Sequence, residues 1–277
     1  MSTASRARFA QIVRASPIDL GLACLLLAAE ADSQPEPDID AGLQALNDLA
    51  AKVSADSGPA PEDPDQAADY LRVALADGAG FRGFPEDFAD LRSSLLPDVL
   101  ERRRGLPILL SIVYVEVALR VGIPAHIIAL PGRVVIGIGD PAEPTAGVML
   151  DPYDDGRRLR PDDAVALVAS MGMRFDPSQL EPADGADILA RVLTNIRALA
   201  SRQQQPRVQL WAVELSMLLP HHPMQLRRER ATLRTRLGDF WAASEDLEAY
   251  GEVLDPVDPE AAEQVRREAR LVRSRLN

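Results

Sequence analysis

Cysteine is almost absent from this chain. Its 277 residues hold only Cys24, so no disulfide framework can staple the fold and no thiolate cluster can hold a structural metal. Histidine is nearly as scarce: His126 sits early in an expected strand, and His221 and His222 in a Pro-flanked turn. With one thiol and three imidazoles, no Cys/His cluster has metal-ligand spacing, and neither a metal nor a cofactor is expected. Lysine occurs once, as Lys52, and the 42 Asp and Glu exceed the 30 Lys and Arg to leave a net charge of −12. Backbone phosphates reward basic surfaces, so this balance argues against a general affinity for nucleic acid or for an anionic membrane. No apolar run approaches the roughly 20 residues that span a bilayer. Arg6, Arg8 and Arg14 ahead of Leu20 to Ala29 superficially copy a secretory signal. However, Pro17 and Asp19 interrupt the approach, and Ser16-Pro17 reads as an N-cap followed by an N1 proline. A soluble, cytoplasmic protein is expected.

The chain is instead rich in apolar residues, at 47%, enough for one or two compact domains. Its organising stretch is Glu101 to Pro107 with the helix it opens. Gly105 permits a tight turn, and Pro107 suits a first helical position, where its missing N–H and fixed φ cost nothing. Ile108 to Val121 is almost wholly apolar, with Glu116 and Arg120 its only charges, which predicts a core helix buried on most sides. Gly122-Ile123-Pro124 ends it. Ala125 to Leu130, Val134 to Ile138 and Val148 to Leu150 then read as strands, the first two joined by Pro131-Gly132. Upstream, Asp40 to Val53 and Gln66 to Ala76 are amphipathic helices, separated by a Pro- and acid-rich loop. Gly78 to Pro85 is irregular; its glycines are not set in the strand–turn–helix of a phosphate loop, and its phenylalanines are expected to pack on the core. Leu91 to Leu96, with Ser93-Ser94, leads into a short helix from Asp98 to Arg104. Asp154 and Asp155, after Asp151-Pro152-Tyr153, are turn formers that Arg157, Arg158 and Arg160 could neutralise.

The segment from Val99 to Leu159, with Arg103-x-Gly105-x-Pro107 opening a helix, Val121-Gly122-x-Pro124 closing it, Pro131-Gly132-Arg133 between strands and Asp151-Pro152 before a glycine turn, resembles the SirB-type branch of the transglutaminase-like proteins. The resemblance implies an α+β fold, mainly helical. Its papain- or transglutaminase-like core packs one helix on a small antiparallel sheet, flanked by N-terminal helices. Active members of the wider superfamily place a Cys at the head of the core helix, a His on the next strand and an Asp on the one after it. The helix dipole lowers the thiol pKa, the His shuttles the proton and the Asp orients the His. Carried onto this sequence, those positions fall at Pro107, Arg133 and Asp151. Proline offers no nucleophile, and a guanidinium cannot take a proton at neutral pH. The resemblance also sets the segment of Ser94 beside the old groove, and Arg104, Ser111 and Tyr153 are further candidates for its lining. Cys24 lies in an apolar run and reads as a small buried hydrophobe.

From Asp187 onward the chain reads as paired helices: Asp187 to Gln203, Arg207 to Leu219, Met224 to Leu237, Asp239 to Val253 and Pro259 to Leu276. Pro220-x-x-Pro223 recurs as Pro256-x-x-Pro259, 36 residues on, close to the roughly 34-residue tetratricopeptide period. Three segments are expected: 1–90, N-terminal helices packed on the core; 91–182, the transglutaminase-like core; and 183–277, tetratricopeptide-like repeats. The expected function is a non-catalytic regulator or adaptor whose emptied groove binds a protein or peptide. Two alternatives stand beside it: a hydrolase or acyl transferase of amide bonds with an unrecognised nucleophile, and a scaffold working through the C-terminal helices alone.

Overall fold

The computed structural model describes residues 3–31, 38–140 and 148–276. Helices α1 (Thr3–Ile12), α2 (Leu20–Ala28), α3 (Ile39–Ser57) and α4 (Pro64–Arg72) come first, and a π-helical turn, Val73–Gly78, continues α4. Two 3₁₀ turns, Pro85–Ala89 and Leu91–Ser94, lead to α5 (Leu96–Arg102) and the core helix α6 (Pro107–Arg120). Four strands follow, β1 (Ala125–Ile128), β2 (Val135–Ile138), β3 (Val148–Asp151) and β4 (Arg157–Leu159), then α7 (Pro161–Ser170). The C-terminal part is α8 (Gly185–Arg202), α9 (Pro206–Ser216), α10 (Gln225–Arg236), α11 (Phe240–Leu254) and α12 (Pro259–Arg273).

The strands form one antiparallel sheet in chain order, with Ile127 opposite Ile136 and Ile136 opposite Leu150. Side chains alternate across such a sheet. Accordingly Ile127, Ile136, Ile138 and Leu150 join the main core with α6, while Ile128, Val135, Met149 and Leu159 form a second cluster with Ala164 and Val168 of α7. Every residue of α6 from Pro107 to Val115 is buried, as a run apolar but for Ser111 and the Tyr114 hydroxyl requires. The main core also takes in Ile188, Leu189, Val192, Leu193 and Ile196 of α8 and Trp211, Ala212 and Leu215 of α9. A separate cluster built on Ala231, Ala243, Leu247 and Val265 holds α10, α11 and α12 together.

Several local expectations change. The N-cap of α2 is Asp19, whose carboxylate accepts from Leu22 N–H at 2.9 Å, rather than Ser16. The left-handed residue before α6 is Arg103, at φ 58°, and not Gly105. Gly105 is needed for space: a Cβ there would stand 2.6 Å from Val99 Cγ2 and 3.1 Å from the Ser93 carbonyl. Strand β4 and helix α7 were not anticipated. Of the arginines after the Asp154-Asp155 turn, Arg157 pairs with Asp154, but Arg158 reaches Asp65 and Asp69 at the start of α4, and Asp155 pairs with Arg82. Phe81 is buried as expected, whereas Phe84 is only half-buried.

His126 faces Gly137 across the β1–β2 pair, and a Cβ at Gly137 would stand 2.4 Å from its Nε2. Among the described residues neither ring nitrogen has a hydrogen-bond partner, and burial pushes the imidazole pKa below its ordinary value. The unfolded chain therefore takes up this proton at a higher pH than the folded one. Stability is expected to be full above a pH of about 6.5 and to fall as acid carries the solution down through the folded value. Chemical denaturation across pH 5 to 8 checks this, and His126→Gln should flatten the slope.

Candidate functional site

Three loops meet at the head of α6. Arg82 N–H donates to the Arg103 carbonyl at 3.2 Å, Gly83 N–H to the Tyr153 carbonyl at 3.1 Å, and Leu106 N–H to the Ser93 carbonyl at 2.9 Å. The irregular stretch around Gly83 is thus stitched between the α5–α6 turn and the β3–β4 turn. Gly83 is the residue that allows it, because a Cβ there would fall 1.9 Å from Tyr153 Cδ2.

Pro107, at the first position of α6, is buried. One turn on, Ser111 Oγ donates to the Val134 carbonyl at 3.4 Å, which ties the front of α6 to the residue after Arg133. Arg133 itself donates from Nε to Asp151 Oδ2 at 2.8 Å. Asp151 has no exposed side-chain surface, against 23% for Arg133. Its other oxygen accepts from Tyr153 N–H at 3.1 Å and Asp154 N–H at 3.3 Å. Burial raises the Asp151 pKa above the ordinary carboxylate value, and Arg133 opposes that rise. The guanidinium carbon of Arg133 also lies 4.9 Å from the centroid of the Tyr153 ring, a cation–π contact. Tyr153 in turn packs against Phe88, at 5.8 Å between ring centroids.

A second unit of the same design stands alongside. Arg104 Nε donates to Asp87 Oδ1 at 2.9 Å, and its guanidinium carbon lies 4.6 Å from the Phe84 ring centroid. Asp87 is fully buried and also accepts from Ser93 Oγ at 2.8 Å and Phe84 N–H at 2.8 Å. In each unit a buried carboxylate that also accepts from backbone N–H holds an arginine over an aromatic ring. Both units act on Tyr153: its phenol pKa is raised, first by burial and then by Asp87, while Arg133 opposes.

The structure therefore joins Arg133, Asp151 and Tyr153, and sets Arg104 in the neighbouring unit. Ser94 and Ser111 are both buried, at 1% and 0% exposure, and Ser94 Oγ has no partner among the described residues. Asp87, Phe84 and Phe88 were not singled out in the sequence. The available signal was Phe84-Pro85-Glu86-Asp87, an acid three residues after the start of a proline-led turn, the spacing of a reciprocal cap. Cys24 lies at 1% exposure within the main core, and burial pushes its thiol pKa far up. A thiol-alkylating reagent at pH 7 is expected to leave the native protein unmodified and to label Cys24 only at the rate of unfolding. Rapid labelling without denaturant would contradict that placement. Among the described residues no group of three or more His, Cys, Asp or Glu side chains is placed to hold a metal ion, and no helix is long and apolar enough to cross a membrane.

A buried helix laid on an antiparallel sheet, with an aspartate at the end of the third strand facing the turn before the second, defines an α+β core of the kind in which papain-like catalysis is built, here followed by stacked helix pairs. The chain belongs to the transglutaminase-like superfamily, whose family model matches residues 40–194; residues 196–277 match a tetratricopeptide repeat model. It is 32% identical over 178 residues to a UPF0162 protein of Xylella fastidiosa, the match covering 62% of each chain. A UPF0162 protein of Pseudomonas aeruginosa is 31% identical over 169 residues, 59% of each chain. The F-box only protein 21 of Pongo abelii is 24% identical over 199 residues, which are 69% of this chain and 32% of that protein. The match thus spans less than two thirds of the length of these two UPF0162 relatives.

Proposed function

We propose that this protein is a non-catalytic member of its superfamily that binds a peptide or protein at the head of α6 and acts as a regulator or adaptor. The observation that carries this reading is the Arg133–Asp151 pair. Where an active relative would set a His against its Asp, the guanidinium holds the carboxylate at 2.8 Å, and the helix head supplies a proline. Neither the guanidinium nor the proline can accept a proton from a nucleophile at neutral pH, so acyl transfer lacks its histidine base. What is left is a recognition surface. Arg133 is oriented by a buried anion and by Tyr153, whose ring also packs against Phe88, 50% exposed. A pre-oriented guanidinium joined through Tyr153 to an exposed aromatic suits a peptide bearing a carboxylate and an apolar side chain.

A second reading rests on the C-terminal helices, where Trp241 is 53% exposed and Leu271 69%. Helix pairs of this type offer surfaces to peptides, and a scaffold working through them needs nothing from Arg133. Capture of partners by the full chain separates the two. Loss of a partner with Arg133→Ala or Phe88→Ala supports binding at the head of α6, whereas loss only with Trp241→Ala and Leu271→Asp supports the scaffold. Truncation after Pro182 would be uninformative, because it strips Ile188, Val192 and Trp211 from the main core.

A further inference from the structure

We propose that the groove between α10 and α12 binds an acidic peptide, seating one apolar side chain against Leu271 and carboxylates on Arg236 and Arg275. The inference deepens the second reading above, that the C-terminal helices hold a partner, and rests on it. The groove encloses about 280 Å³, room for one large side chain rather than for a small-molecule ligand, whose pockets begin at roughly 300 Å³. Its apolar lining is Ala231 of α10, Leu247 of α11 and Val272 of α12, all buried, together with Leu271, which is 69% exposed.

The polar groups around this lining decide the ligand, because most of them are already engaged. Thr232 Oγ1 donates to the Arg228 carbonyl at 3.0 Å and Thr235 Oγ1 to the Ala231 carbonyl at 2.9 Å. Glu268 is met by Arg228, from α10, at 3.6 Å. What remains is Arg236 at the end of α10 and Arg275 just beyond α12. Both are exposed and, unlike Arg228, Arg266, Arg270 and Arg273, make no ion pair among the described residues. A ligand therefore reaches both guanidinium groups without displacing a partner. Arg228, Arg236 and Arg275 against Glu268 leave the groove at +2, within a chain of net charge −12.

Charge complementarity then selects an anion here, and guanidinium groups pair with carboxylates in a fixed geometry. Arg236 and Arg275 come from the ends of different helices, so a ligand that meets both carries its carboxylates apart, with an apolar group to cover Leu271. An acidic peptide has that form. A single-stranded nucleic acid fits worse. Among the described residues no aromatic side chain lines the groove to stack a base. A phosphate at every unit would also run on toward α11, which carries Glu245, Glu248 and Glu252 and no basic residue.

The test titrates isotope-labelled full-length protein with the blocked peptide acetyl-Asp-Glu-Leu-Glu-Asp-amide and follows backbone amide resonances. Saturable shifts at Thr235, Arg236, Leu271 and Arg275 are expected, with half-saturation at about 1 mM or below for a ligand of this size. Arg236→Glu and Arg275→Glu remain folded, because neither residue has an ion-pair partner to lose. Each should weaken the binding at least about fivefold. The same peptide with Lys in place of every acid should not saturate these resonances. Groove resonances that stay in place, that move equally with the acidic and the basic peptide, or that shift undiminished in the two variants would overturn the proposal. So would a short single-stranded oligonucleotide that saturates them more tightly than the peptide. Partner capture lost with Leu271→Asp while the acidic peptide leaves the groove unmoved would overturn the proposal and leave the second reading standing. Saturation of the groove by the peptide, with partner capture lost only with Arg133→Ala, would support this site and remove the second reading.

Discussion

Arg133→Ala should cost about 2–3 kcal/mol of stability at pH 7 and distinctly less at pH 5. Removing one member of a buried pair leaves the other charge uncompensated, a loss of roughly 3–5 kcal/mol when both are sequestered; the 23% exposure of Arg133 reduces it. Asp151 stays behind, its carboxylate still accepting from Tyr153 and Asp154 N–H but deprived of its guanidinium. Burial already raises this pKa with Arg133 present, and without Arg133 the opposing influence is gone. A raised folded-state pKa means that the folded protein holds a proton the unfolded chain has released. Stability is then greatest below the unfolded value, about 3.9, and is lost as pH rises through the folded value. Urea denaturation of both proteins at pH 5 and pH 7 measures this. An equal loss at the two pH values would show that Arg133 acts through its packing on Tyr153 and not through its charge.

Asp246→Ala should be as damaging, by about 2–4 kcal/mol, but in a different place. Its carboxylate is 4% exposed; Arg230 grips both oxygens, and Arg234 Nη1 adds a contact at 3.0 Å. Arg234 also donates to Glu214 at 3.1 Å, and Glu214 and Glu30 share Arg6. A line of alternating charges thus runs from α11 through α10 and α9 to α1 and the end of α2. Alanine at 246 leaves Arg230 without its carboxylate and Arg234 with Glu214 alone, two partly buried guanidinium groups that shared one anion. Because α10 to α12 close their own small core, the expected signature is faster amide exchange there, with the α6 region protected almost as before. Asp246→Asn should recover part of the loss. A uniform acceleration over the whole chain would mean that the two cores unfold as one.

Much of this architecture is written in local pattern. The apolar run of α6 has no polar face to turn outward, the β-branched runs around Pro131-Gly132 can only be strands, and the Pro-x-x-Pro recurrence marks the helix pairs. Strand β4 escaped because Arg157-Arg158-Leu159 is short and charged, and it is a strand only through pairing with β3. Ser16-Pro17 and Asp19 are both competent starts for α2, and the choice is made by which side-chain oxygen reaches an N–H. At the site, Arg133 and Asp151 stand out in the sequence through the Pro131-Gly132 and Asp151-Pro152 motifs, and an Arg133–Asp151 pair was foreseeable from their chemistry. The Asp87–Arg104 pair was not, since its partners are 17 residues apart with no motif linking them. Nor does composition reveal that α8 and α9, where the helical repeats were expected to begin, pack into the same core as α6.

The most direct test of the central claim, that no group at the head of α6 can attack a carbonyl, is intact-mass measurement of the native full-length protein after incubation with broad thiol- and hydroxyl-directed covalent probes at pH 7. The expected result is an unmodified mass, with Cys24 labelled only after unfolding. A stoichiometric adduct on Ser93, Ser94, Ser111 or Tyr153 in the folded protein would contradict it and restore the enzyme reading.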